Sequence, residues 1–275
     1  MVNKKLFSVK EYKTTPLLLP NLVHVKNVNI VGLNITTKNN PGALAKITNI
    51  LAKHDLNIVA INFPLAINKE FVPLFIVIDL TNLNINLDDV LSKLKSLDVV
   101  TEVDVAELYF DGRLLVDQIH FPITGIFKDR LLIMSEEDVE LFVVGMREKF
   151  GSAGLALLYM QGETIGRILA KRFYELNIKE LKKAIIYLLL RAFSLGRYRG
   201  ELHEYIEGRE IVIRLDDNWE CIVAKRHGVS EPSAHFERGI LAGIIKWYTN
   251  RDVKVIETKC IAAGDKYCEL IARLD

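Results

Sequence analysis

The order of strand and helix patterns in the first 110 residues constrains the fold of this chain more than any other feature. Segments rich in β-branched residues are typical of strands, and apolar residues at helical spacing indicate helices. The patterns run strand, helix, strand, strand, helix, strand, at residues 25–38, 40–58, 58–67, 71–80, 86–97 and 99–108.

This β-α-β-β-α-β order predicts a ferredoxin-like domain, in which two helices cover an antiparallel sheet. From residue 111 onward, helical patterns come first and strand patterns follow. That distribution indicates an α+β domain with a helical layer on an antiparallel sheet. We therefore predict an α+β chain with three parts: an N-terminal extension (1–27), a ferredoxin-like βαββαβ domain (28–110) and a second α+β domain (111–275).

The composition excludes several functional classes. A formal charge of +1 argues against a dedicated nucleic-acid surface, which carries a clear basic excess. Three cysteines do not form a secreted disulfide framework. The N-terminus lacks the pattern of a signal peptide, and the longest apolar run (184–190) is far too short to cross a membrane. We expect a cytoplasmic protein without membrane or direct nucleic-acid partners.

The sequence contains no convincing catalytic motif. It has no G-x-S-x-G elbow, no P-loop and no G-x-G-x-x-G between a strand and a helix. The segment HEYIE at 203–207 begins like a zinc-protease motif but lacks the second histidine. These observations favour a protein that is not an enzyme.

One loop in the first domain matches a known regulatory module. The segment from Asn40 to Leu44 reads Asn-Pro-Gly-Ala-Leu, an amphipathic helix follows, and Asn57-Ile58 enters the next strand. Over about residues 28–110 this resembles the ACT domain, a small ligand-binding module of amino-acid metabolism. The resemblance implies side-by-side dimers, with effectors bound at the shared interface. It nominates Asn40, Gly42, Ala43, Leu44, Asn57 and Ile58 as ligand-binding residues.

The chemistry of this loop is compatible with binding. Gly42 allows a ligand to approach the backbone, and a helix N-terminus attracts a carboxylate. We predict Asn40 at the N-cap of the helix and Pro41 at its first position. The alternative is that these residues only cap the helix and that the domain only dimerises.

Two of the three thiols lie eight positions apart, in the segment CIAAGDKYC. With a turn centred on Gly264, Cys260 and Cys268 become opposed residues of a hairpin, with Cβ atoms about 4.5–5.5 Å apart. That separation suits two thiolates on a zinc ion, and it also suits two small side chains in a core. Redox chemistry normally uses the closer C-x-x-C spacing.

The sequence on both sides of these thiols resembles a second known family. A helix has two glycines four apart, Gly239 and Gly243. A strand then ends in Glu-x-x-Cys, and a Gly-Asp turn precedes the last thiol (Glu257, Cys260, Gly264, Asp265, Cys268). Over about residues 115–275 the chain resembles the 4-vinyl reductase-like domain, also described as a hydrocarbon-binding sensory domain. This resemblance implies a pocket for a small apolar ligand, with Tyr159, His235 and Arg238 as candidate ligand-binding residues.

The resemblance also implies a zinc site. In phenol-sensing relatives, the Glu and two Cys of this motif bind zinc with one further Cys, and that position is Ala234 here. The predicted metal ligands are therefore Glu257, Cys260 and Cys268, with the neighbouring His235 as a substitute. Glu257 reaches the same metal as Cys260 only if the strand bulges, because residues three apart face opposite sides. Cys221 falls in a predicted strand and is assigned to the core.

The prediction from sequence is a non-enzymatic sensor or regulator. The ACT-like domain provides a homodimer and binds an amino acid, and the C-terminal domain binds a small hydrophobic compound. Output then passes through an unidentified protein partner. Two alternatives remain open: an assembly adaptor resembling subunits of vesicle-tethering complexes, and an accessory protein or reductase acting on a tetrapyrrole-like or aromatic substrate.

Overall fold

A computed structural model describes residues 6–8, 16, 17, 19, 21–24, 29–81, 83, 85–109 and 114–274. The chain forms two compact units, one of residues 14–131 and one of residues 132–275 grouped with residues 1–13. No helix within the described ranges is long and apolar enough to cross a membrane. In chain order the elements are β1 (Phe7–Ser8), β2 (Leu22–His24), β3 (Ile30–Lys38), α1 (Ala43–Lys53), β4 (Asn57–Asn62), β5 (Phe71–Asp79), α2 (Leu87–Lys95), β6 (Val100–Val105), β7 (Leu108–Tyr109), β8 (Leu114–Val116), α3 (Glu136–Glu175), α4 (Leu181–Ser194), β9 (Arg199–Ile206), β10 (Glu210–Asp216), α5 (Trp219–Arg226), α6 (His235–Thr249), β11 (Val253–Lys259) and β12 (Cys268–Leu274).

The first unit, residues 14–131, is built on an antiparallel sheet with the strand order β4-β5-β3-β6. The helices α1 and α2 pack on one face through side chains such as Ile47, Leu51 and Leu94, which are fully buried. This is the ferredoxin-like order, and it confirms the fold predicted for the N-terminal part.

The opposite face of this sheet is covered by a small sheet with the order β2-β8-β7. Leu115 of the small sheet packs against Phe75 and Val77 of β5. The two layers approach closely at Gly32, where an added Cβ would lie 2.8 Å from the Leu115 side chain. The first unit therefore extends to Leu131, and the domain boundaries inferred from the sequence stay predictions.

The start of α1 differs from the sequence prediction. The N-cap is Gly42, with φ 88° and ψ −11°, a left-handed conformation that glycine adopts without steric cost. Asn40 lies in the preceding turn, where its carbonyl oxygen accepts the amide N–H of Ala43 at 3.2 Å. The N-cap predicted at Asn40 and the first helical position predicted at Pro41 are therefore wrong, because Pro41-Gly42 forms the turn that leads into the helix.

The second unit is a helical layer on a five-stranded antiparallel sheet with the order β1-β9-β10-β12-β11. The helices α4 and α6 supply Leu189, Leu241 and Ile245 to a buried core shared with the sheet. This arrangement confirms the predicted α+β class.

The helices α3 and α6 cross at very short range because glycines occupy the contact on both sides. A Cβ added to Gly162 or Gly166 would lie 2.2 Å from a carbonyl oxygen of α6, and one added to Gly239 or Gly243 would lie 2.1 Å from a carbonyl oxygen of α3. The segment GETIG at 162–166 suggests a helix break from its sequence, and this expectation is wrong because both glycines lie inside α3. The glycine pair of α6 has a direct packing role.

Two other positions suggest local features from the sequence: GSAG at 151–154 suggests a helix break, and Asn177 suggests the N-cap of the next helix. Gly151 interrupts α3 with φ 54° and ψ −134°, so the break is present. Asn177 does not cap α4, which begins at Leu181. Instead it has φ 65° and closes α3, where the amide N–H of Ile178 reaches the carbonyl oxygen of Phe173 at 3.0 Å.

A candidate metal centre and a ligand cavity

Four side chains from three elements of the second unit form one compact donor cluster. Cys221 comes from α5, Glu257 from β11, Cys260 from the residue after β11, and Cys268 from the first residue of β12. Their ligand atoms all lie within 4.8 Å of one another. The three cysteines are free thiols and fully buried.

The hairpin reaches this geometry through a bulge and a structured turn. The register of β11 against β12 shifts between Glu257 and Lys259, which lets Glu257 and Cys260 contribute to one site although they are three residues apart. In the turn, the Asp265 carboxylate accepts the amide N–H of Cys260 at 2.9 Å, and the Asp265 amide donates to the Cys260 carbonyl at 3.0 Å. Gly264 has φ +100°, which favours glycine.

Cys221 occupies the fourth place in the cluster, contrary to its assignment to a strand and to the core alone. The segment 219–226 is the helix α5, and this helix directs Cys221 to within 3.5 Å of the Glu257 carboxylate. Ala234 contributes only its backbone, whose N–H donates to the second Glu257 oxygen at 2.9 Å. His235 is not in the cluster, because its Nδ1 lies 2.9 Å from Nη2 of Arg238 on the next turn of α6.

Each sulfur of the cluster receives an N–H donor. The fully buried Asn218 side chain donates to Cys221 at 3.3 Å and lies 3.8 Å from the Cys268 sulfur. The backbone N–H of Ala262 donates to Cys260 at 3.3 Å, and that of Ile261 donates to Cys268 at 3.4 Å. Donors directed at sulfur favour the thiolate form, which is the form that binds metals.

The electrostatics of the cluster are those of a buried acidic site. Burial raises the pKa of Glu257 to about 7. Hydrogen bonds from the Cys221 and Cys268 thiols lower the pKa of Cys260, and the same contact with Cys260 raises the pKa of Cys221. A divalent cation bound here would balance the negative charge of the ionised carboxylate and thiols in this buried site.

The donor set fits a metal ion. Structural zinc takes four ligands in a tetrahedron with Zn–S distances of ~2.3 Å, which places the ligand atoms about 3.8 Å apart. The ligand atoms of the four donors lie within 4.8 Å of one another, which is near that spacing. Three sulfurs with one carboxylate suit zinc better than the oxygen-seeking calcium or magnesium.

A cavity of about 440 Å³ lies where α3 and α6 meet, on the side where α6 begins. It is open to solvent, and the residues lining it are Ser152, Leu155, Ala156, Tyr159, Met160, His235 and Arg238. The structure thus brings Tyr159, His235 and Arg238, the three residues nominated from sequence, to one cavity. The Arg238 guanidinium also lies 5.7 Å from the centre of the Tyr159 ring.

A buried carboxylate supports the α6 end of this cavity, and no sequence motif pointed to it. Glu220 on α5 is fully buried and accepts the backbone N–H groups of Phe236 and Glu237 at 2.9 and 3.2 Å. Burial raises the pKa of Glu220 to about 8. The adjacent Glu237 is held by Arg197 and by the indole N–H of Trp219, at 2.5 and 2.8 Å. These contacts fix the first turn of α6.

The residues nominated in the first unit are divided between surface and core. Asn40 and Gly42 are exposed in the turn before α1, and Leu44 is 38% exposed. Ala43 is buried, and Ile58 packs against the helix-side core. Asn57 is exposed at the start of β4. The exposed members of this set are available to a ligand or to a second chain, and the buried members are not.

Comparisons with known proteins agree with both resemblances. Residues 26–104 match the ACT domain family, and residues 211–274 match the 4-vinyl reductase domain family. The uncharacterized protein MJ1642 of Methanocaldococcus jannaschii is 30% identical over 141 residues, which cover 50% of this chain and 78% of that protein. The uncharacterized protein MJ0150 of the same organism is 31% identical over 126 residues. These residues cover 44% of this chain and 65% of MJ0150.

Among solved structures, the phenol-responsive sensory domain of the transcription activator PoxR has a similar fold. It was solved with phenol, its TM-score is 0.50, and the match covers 69% of this chain and 90% of that domain at 13% identity. At that identity the likeness concerns the fold alone. The combination of these two domains fits a ligand-binding regulatory role. The chain belongs to the family of MJ1642, and it joins an N-terminal ACT domain to a C-terminal 4-vinyl reductase domain.

Proposed function

We propose that this protein is a non-enzymatic small-molecule sensor. Its 4-vinyl reductase domain binds a small, largely apolar ligand in the cavity between α3 and α6, and zinc in the cluster of Cys221, Glu257, Cys260 and Cys268 stabilises that domain. The ACT domain forms a homodimer and binds an amino acid. Regulation requires that each ligand favours one state of the protein, and the output passes to a partner protein.

The cavity is the observation that carries this proposal. A volume of about 440 Å³, walls formed largely by apolar atoms and three convergent polar side chains are typical of small-molecule sites. The test is a thermal-shift screen of the full-length protein with small aromatic and aliphatic compounds, beginning with phenol. Ligands should raise the melting temperature of the wild type but not of Ala156→Phe, which fills the cavity. A screen without any such ligand would contradict the sensor proposal.

Zinc in the cluster would act as a structural link. It would join α5 to the β11–β12 hairpin. Hydrogen bonds would hold the metal ligands in place: Asn218, Ile261 and Ala262 donate N–H groups to the sulfur atoms. The N–H of Ala234 donates to the Glu257 carboxylate. The family's further Cys is absent at Ala234, and Cys221 takes its role in our proposal.

The substitution Asn218→Leu should weaken zinc binding without removing a ligand. It keeps a side chain of similar size but removes the N–H donor from the Cys221 and Cys268 sulfurs. Loss of a neighbouring hydrogen bond of this kind typically lowers metal affinity about 10- to 100-fold. Competition with a chromogenic chelator measures the change. Asn49→Leu, at an exposed position of α1, is the matched control, and equal affinities for the two variants would contradict the assigned role of Asn218.

The edge strand β4 supports the proposed ACT homodimer. It lies at the end of the sheet order, and its side chains Val59 and Ile61 are 54% and 39% exposed. An exposed apolar edge strand is a template for pairing with another chain. Pairing of β4 with β4 of a second copy would cover these side chains. The dimer would then contain two copies of the Pro41-Gly42 turn that precedes α1.

The double substitution Val59→Lys and Ile61→Lys should convert the dimer to a monomer. Two lysines on each β4 place like charges opposite one another and remove apolar burial from the contact. Light scattering after size exclusion reports the mass of the assembly. Val105→Lys on β6, the other edge of the sheet, is the control and should leave the dimer intact. A dimer that survives the β4 substitutions would rule out this interface.

A further inference from the structure

The ligand cavity contains a cation that lacks a counter-ion. Among the described residues, Arg238 makes no ion pair with a carboxylate; its Nη2 contacts His235 and its guanidinium lies over Tyr159. The nearby Arg147 differs, because it is paired with the Glu231 carboxylate and bonded to Ser233. A partly buried guanidinium without an acid is costly. The cavity therefore carries one uncompensated positive charge.

His235 presents a hydrogen-bond donor beside this cation. Arginine only donates, so the 2.9 Å contact from Arg238 makes Nδ1 of His235 an acceptor. The proton of the neutral ring then lies on Nε2. Burial and the charges of Arg238 and Arg147 lower the pKa of His235 to about 4, so the ring is neutral at neutral pH.

Two buried N–H groups on these side chains have no partner in the described structure. They are Nε2 of His235 and Nε of Arg238. Both are donors, and buried donors without acceptors are rare and costly. A ligand that satisfies both must offer acceptors, and it must carry negative charge to balance Arg238. The two side chains form part of the cavity wall, which places both donors next to the space that a ligand would fill.

The rest of the cavity selects the body of the ligand. Leu155, Ala156 and Met160 offer apolar contact, and the flexible methionine side chain adapts to different shapes. A single cation and a neutral imidazole match a monoanion with a planar pair of oxygens, which is the geometry that guanidinium recognises best. A phosphate dianion would require further positive charge.

We propose that the cavity of the 4-vinyl reductase domain binds a small apolar monocarboxylate, with an aromatic or short aliphatic body on Leu155 and Met160 and its carboxylate on Arg238 and His235. This ligand assignment rests on the proposed sensor function, and it specifies the chemical class of the ligand that the sensor binds. Neutral hydrocarbons and phenols of the same size are weaker ligands, because they leave Arg238 without a counter-ion.

The test compares carboxylates with their neutral amides on the full-length protein. Benzoate and hexanoate are titrated against benzamide and hexanamide by calorimetry, with far-UV circular dichroism as a check on folding. We expect each carboxylate to bind about 10- to 100-fold more tightly than its amide, the range for a hydrogen-bonded charge pair. Arg238→Met should abolish this preference, and Arg238→Lys should retain part of it.

Two further variants make each outcome decisive. Arg226→Gln removes a surface arginine that is paired with Glu136 and should keep the full preference, whereas Ala156→Phe should abolish binding of every ligand. Equal affinity for acids and amides, or a preference that survives in Arg238→Met, would overturn the carboxylate inference and leave the sensor proposal standing. If neither series nor phenol binds the wild type, both proposals fail.

Discussion

Replacement of Cys221 by serine is expected to abolish zinc binding and to destabilise the 4-vinyl reductase domain by about 3 kcal/mol or more, which lowers its melting temperature by roughly 6–12 °C. The reason is that Cys221 supplies the fourth donor of the cluster, on a different element from the other three. Without it, α5 loses its link to the hairpin, and the three remaining donors form an incomplete site.

Chelation separates this effect from a simple change in packing. A strong chelator should lower the melting temperature of the wild type to that of Cys221→Ser and leave the variant unchanged. If the chelator has no effect on the wild type while the substitution is destabilising, the three thiols are core side chains and the zinc proposal is wrong.

Gly243→Ala is expected to be strongly destabilising although it adds only one methyl group. Its Cβ would lie 2.1 Å from the carbonyl oxygen of Glu163, a backbone atom that cannot rotate away. The helices α3 and α6 would have to separate, which should lower the free energy of unfolding by about 3 kcal/mol. Because the cavity lies between these helices, ligand binding should weaken as well.

Gly145→Ala is the matched control on the other side of the α3 interruption. A Cβ at this position meets no atom within 4 Å, and the alanine favours the helix by about 0.5–1 kcal/mol. Chemical denaturation of both variants, followed by circular dichroism, measures the difference. Equal stabilities would show that the close crossing of the two helices is not required.

The fold could be predicted largely because its signals are local. The alternation of strands and helices in the first unit indicated the ferredoxin-like order, and the glycine and cysteine motifs identified the second. The errors at the start of α1 and at Asn177 concern local turn geometry, and the others fall where tertiary contacts decide. Gly162 and Gly166 suggested a break in the helix, yet they allow the approach of α6, which is more than seventy residues away in the sequence.

The donor cluster was predictable only in part. Glu257, Cys260 and Cys268 belong to one short motif of the sequence, although Glu257 joins the two thiols only because β11 bulges. Cys221 is separated from them by a helix, and its role depends on how α5 packs against the hairpin. Asn218 and Glu220 were missed because their side chains also contact other elements: Asn218 lies near the Cys268 sulfur of β12, and Glu220 accepts backbone N–H groups of α6.

The most direct test of the proposed sensor is mass spectrometry of the purified full-length protein under native and denaturing conditions. We predict that the wild type loses the mass of one zinc ion on denaturation, that Cys221→Ser loses none, and that any organic mass released with the zinc belongs to the cavity ligand. Identical masses for the wild type under both conditions, after purification without chelators and with zinc supplied, would contradict the zinc site and the predicted release of a cavity ligand.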